Sequence, residues 1–111
     1  MKAARTLIRA LEDRKAQEIV LLDLRGIALF TDYFVICSGT SDRMLRSILK
    51  HANEAVHDAF DIKGRVEGKP SNGWIAVDFG NFVLHIFSPA QRDHYDLESL
   101  WAEGKTLLHV Q

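Results

Sequence analysis

The sequence has one cysteine, two prolines and no strong excess of either charge among its 111 residues. Cys37 alone cannot form an internal disulfide, and so little cysteine is typical of a reducing compartment. The formal net charge of -1 argues against a module that binds nucleic acid through overall positive charge. No run approaches the ~20 apolar residues of a membrane span, and residues 1–5 do not begin a signal peptide. These absences predict a cytoplasmic protein.

Length and composition fit one small globular domain. A chain of 111 residues leaves no room for two domains of ordinary size, and it can bury a core without metals or disulfides. Its 47% hydrophobic and 26% charged residues are ordinary for a globular protein. The sequence predicts a domain over residues 1–104 and a C-terminal tail over residues 105–111.

The spacing of apolar residues predicts helices and strands in a mixed order. The predicted helices span residues 2–15, 42–60 and 88–104, and the predicted strands span residues 18–24, 33–37, 65–67, 74–79 and 82–87. Gly80 and Asn81 separate the last two strands and indicate a hairpin. This order implies an α/β fold of the α+β kind, with a mixed β-sheet flanked by helices.

The turn from Ser38 to Ser41 lies between a predicted strand and the long predicted helix, where backbone N–H groups can bind phosphate. Thr40 or Ser41 is the expected N-cap of that helix. A nucleotidyltransferase also needs acidic metal ligands placed together on a rigid element. The sequence has no Asp-x-Asp motif, and the spacing of Asp96 and Glu98 on a helix would point their side chains apart. A capped helix start is favoured, and a nucleotide-binding or nucleotidyltransferase enzyme using this turn is the alternative.

The histidines and serines predict neither a metal site nor a catalytic triad. His51 and His57 are six residues apart and do not share a helix face, so no zinc-type motif is present. The sequence contains the residue types of a catalytic triad in Ser38, His85 and Asp78, but no Gly-x-Ser-x-Gly motif supports such a triad. His85 alternates with apolar residues along one strand, so it is either a satisfied core histidine or part of a binding surface. We expect no metal ion and no cofactor.

A basic group and an aromatic group are candidates for binding surfaces. The basic residues are Arg43, Arg46 and Lys50, and the aromatic residues are Trp74, Tyr95 and Trp101. The basic group shares an outward side of the long helix, which is either a solvated face or a contact with the phosphates of an RNA. Trp and Tyr are the residue types that most often anchor protein interfaces, although they also close the cores of small domains.

Three blocks of the sequence, in order over residues 5–102, form a recognisable pattern. The blocks are Thr31–Arg43; then Glu67–Gly68 with Gly73–Gly80 and Val83–Phe87; then Arg-x-x-Tyr-x-Leu-Glu-x-Leu-Trp over Arg92–Trp101. Together they resemble the bacterial ribosomal silencing factor (Iojap) family. Three positions depart from the family pattern: Met44, Gly73 and Asn81 stand where a histidine, an acidic residue and an aspartate are usual.

The resemblance implies a nucleotidyltransferase-like fold that has lost its catalytic carboxylates, and therefore a protein that is not an enzyme. Members of the family bind large-subunit ribosomal protein fourteen (uL14) on the face that meets the small subunit. They block an intersubunit bridge, prevent the subunits from associating and repress translation when nutrients are short. They are commonly homodimers when free. The residues that we expect to bind the ribosomal protein are Trp74, Asp78, His85, Arg92, Tyr95 and Trp101.

Overall fold

A computed structural model describes residues 2–111 and places six strands in one sheet. The strands are β1 (Gln17–Asp23), β2 (Tyr33–Ser38), β3 (Arg65–Lys69), β4 (Trp74–Asp78), β5 (Phe82–Phe87) and β6 (Lys105–Val110). Their order across the sheet is β3-β4-β5-β2-β1-β6. β2 and β5 run parallel, and the other neighbouring pairs are antiparallel. The mixed sheet flanked by helices that the sequence predicts is confirmed.

Two long helices, α1 (Lys2–Asp13) and α2 (Asp42–Phe60), cover one face of this sheet, which we call the helical face. Ser41 rather than Thr40 caps α2, because its hydroxyl accepts a hydrogen bond of 3.1 Å from the backbone N–H of Met44. The apolar stripes of both helices join the inward side chains of the sheet in one buried core. Among residues 2–111, no helix is long and apolar enough to cross a membrane.

Alternation along the central strands divides their side chains between the two faces of the sheet. On β4, Ile75 and Val77 are buried in the helical core, whereas Trp74, Ala76 and Asp78 point to the opposite face and are partly exposed. The strands β5 and β2 divide in the same way and are buried throughout. The opposite face therefore carries its own smaller apolar cluster, built on residues that the two long helices do not reach.

Two short helices, α3 (Pro89–Tyr95) and α4 (Leu97–Leu100), follow β5, and Leu97 of α4 packs into the smaller cluster. The sequence predicts a single helix over residues 88–104, and that prediction is wrong at Asp96. This residue has a left-handed backbone with φ of 48°, and its N–H donates to the carbonyl oxygen of Arg92 at 2.9 Å. Aspartate tolerates this conformation better than most residues, so it ends one helix and begins the next.

Residues 105–111, which the sequence analysis set apart as a tail, supply the sixth strand of the sheet. Lys105–Val110 pair antiparallel with β1, and Leu108 packs against the helical core. The register shifts between Leu21 and Leu22 of β1, so Leu107 is not paired in the ladder. This irregularity breaks the alternation by which a strand is recognised in sequence, because an extra residue reverses the side-chain pattern. The segment is an edge strand of the sheet.

Candidate functional site

A continuous band of rings crosses the sheet face opposite the long helices, and we call it the aromatic face. In order of contact, its members are Tyr95, Trp74, His85, Phe34, Trp101 and Phe30. Successive ring centroids are 4.4 to 5.9 Å apart. The rings come from β2, β4, β5, α3 and two connecting segments. The three aromatic residues that the sequence singled out thus join one surface, linked by Phe34 and His85.

A hydrogen bond fixes the orientation of Trp74 in this band. Its indole Nε1 donates to Nδ1 of His85 at 3.1 Å, and its ring stacks on Phe87 with centroids 5.1 Å apart. Because Nδ1 accepts, the neutral imidazole carries its proton on Nε2. Burial lowers the pKa of His85 to about 4, so the acceptor is present at neutral pH. Nε2 is buried and has no hydrogen-bond partner within residues 2–111.

The rings of the aromatic face differ in their exposure. Trp74 and Trp101 are partly buried, whereas Tyr95 keeps 46% of its surface exposed. Phe34 and His85 are buried beneath them. The sequence left core packing and interface anchoring open for these residues. In the structure the inner rings form a buried base, and the outer rings present an apolar surface above it.

Three exposed apolar residues lie in the segments that contribute Phe30 and Trp101 to this surface, and sequence reasoning missed them. Leu29 is fully exposed, Phe30 is 62% exposed and Leu100 is 70% exposed. Phe30 contacts both Phe34 and Trp101, so it is continuous with the aromatic face. Contiguous apolar surface of this kind marks interaction sites. The signal in the sequence was a run of four apolar residues, 27–30, that lies outside both flanking predicted strands.

Arg92 is expected to bind a partner, but its guanidinium is engaged within the chain. It donates to the carboxylate of Glu98 at 3.0 Å, to the hydroxyl of Ser38 at 2.8 Å and to the carbonyl oxygen of Glu18 at 2.6 Å. Its side chain is only 10% exposed. These bonds attach α3 to α4 and to the adjacent ends of β1 and β2. The structure therefore gives Arg92 a role in positioning α3, the helix that ends with Tyr95.

Asp78 lies at the opposite end of β4 from Trp74, about 13 Å away at 3.3 Å per residue. Its carboxylate accepts from the N–H of Gly80 at 2.8 Å and lies 3.6 Å from the guanidinium of Arg65. The set of Ser38, His85 and Asp78 is not a triad, because each member has a different partner elsewhere. Asp78 is on the same face as the rings but at its margin.

The polar groups of the turn from Ser38 to Ser41 form hydrogen bonds within the chain. The N–H of Gly39 donates to the carbonyl oxygen of Phe87 at 2.9 Å, and the N–H of Thr40 donates to the sulfur of Met44 at 3.3 Å. A Cβ atom on Gly39 would lie 2.9 Å from a methyl carbon of Leu45, so the turn packs closely on α2. The structure agrees with a capped helix start. Met44, which departs from the family pattern, supplies one of the acceptors.

Within residues 2–111, no three His, Cys, Asp or Glu side chains lie close enough together to hold a metal ion. Burial raises the pKa of the Cys37 thiol to about 12, so this side chain stays protonated and unreactive at neutral pH.

The basic residues lie on the other side of the molecule. Arg43, Arg46 and Lys50 are exposed on α2, and none forms an ion pair with a residue in the range 2–111. Arg14, which follows α1, lines a depression together with Arg46 and Lys50, and the other lining residues are Ser47, His51 and Glu54. Since α2 covers the helical face, this basic group and the aromatic face are on opposite sides of the sheet.

Comparison with known proteins finds similarity over nearly the whole length of this chain. A sequence profile described as "Ribosomal silencing factor during starvation" matches residues 1–111. A ribosomal silencing factor of Bacillus subtilis is 37% identical over 96 residues, which cover 86% of this chain and 80% of that protein. The mouse protein named "Mitochondrial assembly of ribosomal large subunit protein 1" is 35% identical over 98 residues, covering 86% of this chain and 43% of that protein. A crystal structure of a Chromobacterium violaceum protein, 29% identical, superposes with a TM-score of 0.86 and covers 99% of this chain and 91% of its own.

Proposed function

The chain belongs to the ribosomal silencing factor family, and we propose that it represses translation by keeping the two ribosomal subunits apart. In this proposal it binds the large subunit on the surface that the small subunit would otherwise cover. Steric exclusion needs neither turnover nor a cofactor, and we propose a cytoplasmic binding protein rather than an enzyme. The full-length match to the family profile is the observation that carries the proposal.

We assign the aromatic face to contact with the large subunit, through ribosomal protein fourteen. A patch of partly exposed rings on a buried base is what interface anchors require, because the anchors must be both rigid and accessible. Trp74, Tyr95 and Trp101 supply the rings, with His85 holding Trp74 in place. Asp78 contributes at the margin. The mouse relative, whose name refers to assembly of the ribosomal large subunit, supports the choice of that subunit.

The basic group on α2 supports a second, weaker contact with ribosomal RNA. Arg43, Arg46 and Lys50 are exposed, unpaired within the described chain and grouped on one helix, although the chain as a whole has a net charge of -1. Phosphate contacts of this kind release counterions, so they make binding depend on salt concentration. Because this group is on the opposite side from the aromatic face, it would reach RNA that surrounds the docked domain.

We also propose that the free protein is a homodimer that uses the aromatic face. The exposed side chains of Leu29, Phe30 and Leu100 make this apolar surface costly to leave in water. If the same surface binds the ribosome, dimerisation and ribosome binding exclude each other, because one patch cannot be covered twice. Free protein would then dissociate before it acts.

Sedimentation of ribosomal subunits tests this function. Purified protein added to separated subunits should travel with the large subunit and reduce formation of joined ribosomes. The Trp74→Ala variant should bind the large subunit about thirtyfold more weakly, since removal of such an anchor costs about 2 kcal/mol. Trp74→Phe, which keeps a ring that can stack on Phe87, serves as the second variant if the alanine form unfolds.

Two outcomes would refute the assignment. The wild-type protein would be misassigned if it travelled only with the small subunit, or if saturating amounts left subunit joining unchanged. Circular dichroism on each variant shows whether a loss of binding reflects a loss of folded protein.

A further inference from the structure

A cleft of about 280 Å³ opens at the β3–β4 edge of the aromatic face. Its lining residues are Glu67, Gly68, Asn72, Trp74, Ala76 and Tyr95. Small-molecule sites usually have volumes of roughly 300–1,000 Å³, so this cleft is at or below the lower limit for a nucleotide or similar ligand. Its size suits a single side chain of a protein partner.

The β3 side of the cleft requires a glycine. Gly68 has φ of 88°, and a Cβ atom there would collide with the carbonyl oxygen of Trp74, so only glycine fits. Glu67 lies opposite Ala76 in the register of β3 and β4, and the small alanine side chain leaves space beside the carboxylate. The floor is therefore bare backbone and a methyl group, with a carboxylate at one wall.

The rest of the lining is aromatic apart from the amide side chain of Asn72. The ring centroids of Trp74 and Tyr95 are 4.4 Å apart, and the two planes are inclined at 46°. The only hydrogen-bond donor of the indole is used by His85, so Trp74 offers the cleft its π-surface and no polar group. Aromatic faces attract cations, and a carboxylate beside them adds an ionic partner.

The charges around the cleft leave Glu67 available. Among residues 2–111 it forms no ion pair. Strand alternation places Arg65 and Lys69 on the same face of β3. Arg65 is held by Asp78 at 3.6 Å, and Lys69 lies opposite Trp74 in the register but is not part of the lining. The cleft thus has one acidic group that forms no ion pair within residues 2–111, and two basic residues, Arg65 and Lys69, lie on the same face of β3.

We propose that this cleft receives an arginine side chain of the protein partner. The guanidinium would lie against the rings of Trp74 and Tyr95 and bond to the carboxylate of Glu67. A planar guanidinium stacks on aromatic rings and matches a carboxylate with two parallel N–H groups, which the compact ammonium of lysine cannot do. The inference rests on the proposed function, because proteins that bind RNA are rich in arginine.

Charge substitutions at the cleft edge test this assignment with large ribosomal subunits as the probe. Glu67→Gln should weaken binding about fivefold to tenfold, as expected for loss of a charge-assisted bond in a partly exposed site. Lys69→Gln should leave affinity unchanged or raise it about twofold, since it removes a like charge near the incoming cation. The matched control is Asp93→Asn, which removes an equal charge from an exposed position on α3 outside the cleft. Equal losses for Glu67→Gln and Asp93→Asn, or no loss for Glu67→Gln, would overturn the proposal.

A second probe separates this inference from the proposed function. If wild-type protein does not bind large subunits, the function fails, and the cleft is then tested with n-butylguanidinium by NMR. The indole N–H signal of Trp74 should shift saturably with this cation, should not shift with neutral n-butylurea, and should shift less in Glu67→Gln. A Trp101→Phe variant assigns the signal. A wild-type signal that does not respond to the cation would refute the cleft, whatever the subunit result.

Discussion

The two faces of the sheet differ in how completely helices cover their side chains. On the helical face, α1 and α2 bury side chains such as Ile48 and Leu84 completely. On the aromatic face, Tyr95 is 46% exposed and Phe30 is 62% exposed. A fully buried face contributes most of the hydrophobic stabilisation, whereas a half-covered one leaves apolar area free for a partner. The contrast separates a face that holds the domain together from the face that we propose as the binding surface.

Helix length explains the difference. The helix α2 has 19 residues and α1 has 12, while α3 has seven and α4 has four. Two helices of one or two turns cannot cover a sheet face, so rings remain at the surface. Their rigidity comes from polar bonds instead, through Arg92 to Glu98 and Trp74 to His85. Precise placement of partly exposed anchors limits the entropy lost on binding.

The largest expected effect is loss of stability at the helical face. Ile48→Ala should lower the free energy of unfolding by about 3 kcal/mol, because it leaves a cavity in a fully packed core. Leu100→Ala, a similar truncation at a residue that is 70% exposed on the other side, should cost less than about 0.5 kcal/mol. Urea titrations of both variants measure the two values. Equal costs would break the contrast between the faces.

A pH effect of intermediate size should arise from His85 on the aromatic face. Its folded-state pKa is about 4, below the ordinary value of 6.5, so below pH 6.5 the unfolded chain gains a proton that the folded chain does not. Stability from this group is complete above pH 6.5 and falls as the pH decreases toward 4. The expected loss is about 2 kcal/mol between pH 7.5 and pH 5.

Urea titrations at several pH values check this prediction against the His85→Gln variant. Glutamine can still accept the hydrogen bond from Trp74 but does not titrate in this range. The wild-type protein should lose more stability than the variant over the same interval. Parallel pH profiles would show that His85 is accessible enough to be protonated in the folded state.

A small change in stability, combined with a clear loss of binding, is expected at Phe30. Phe30→Ser should alter the free energy of unfolding by less than about 1 kcal/mol, because most of the ring is exposed. Affinity for the large subunit should fall about tenfold if the ring is an interface anchor. Phe60→Ser is the matched control, since Phe60 is also exposed but ends α2 on the helical side. Equal binding losses from both variants would contradict the separation of roles.

Local patterns in the sequence were sufficient for much of the fold. The helix over residues 42–60 has the bounds that its apolar spacing predicts, because a 3.6-residue stripe and an N-cap serine act within a few turns. The hairpin at Gly80 and Asn81 was also predictable, since two short strands meet at a turn. Each of these depends on neighbours close in the chain. The family resemblance likewise depends on residue identity and spacing, and the profile match confirms it.

Contacts between distant residues decided the rest. Lys105–Val110 became a strand only because β1, some 85 residues earlier in the chain, offered an unpaired edge. Arg92 was turned inward by Glu18 and Ser38, which lie 74 and 54 residues away in sequence. The bond from Trp74 to His85 depends on the register of β4 and β5. Composition and spacing show which residue types are available for binding. Whether these residues are exposed depends on which face of the sheet the tertiary structure leaves uncovered.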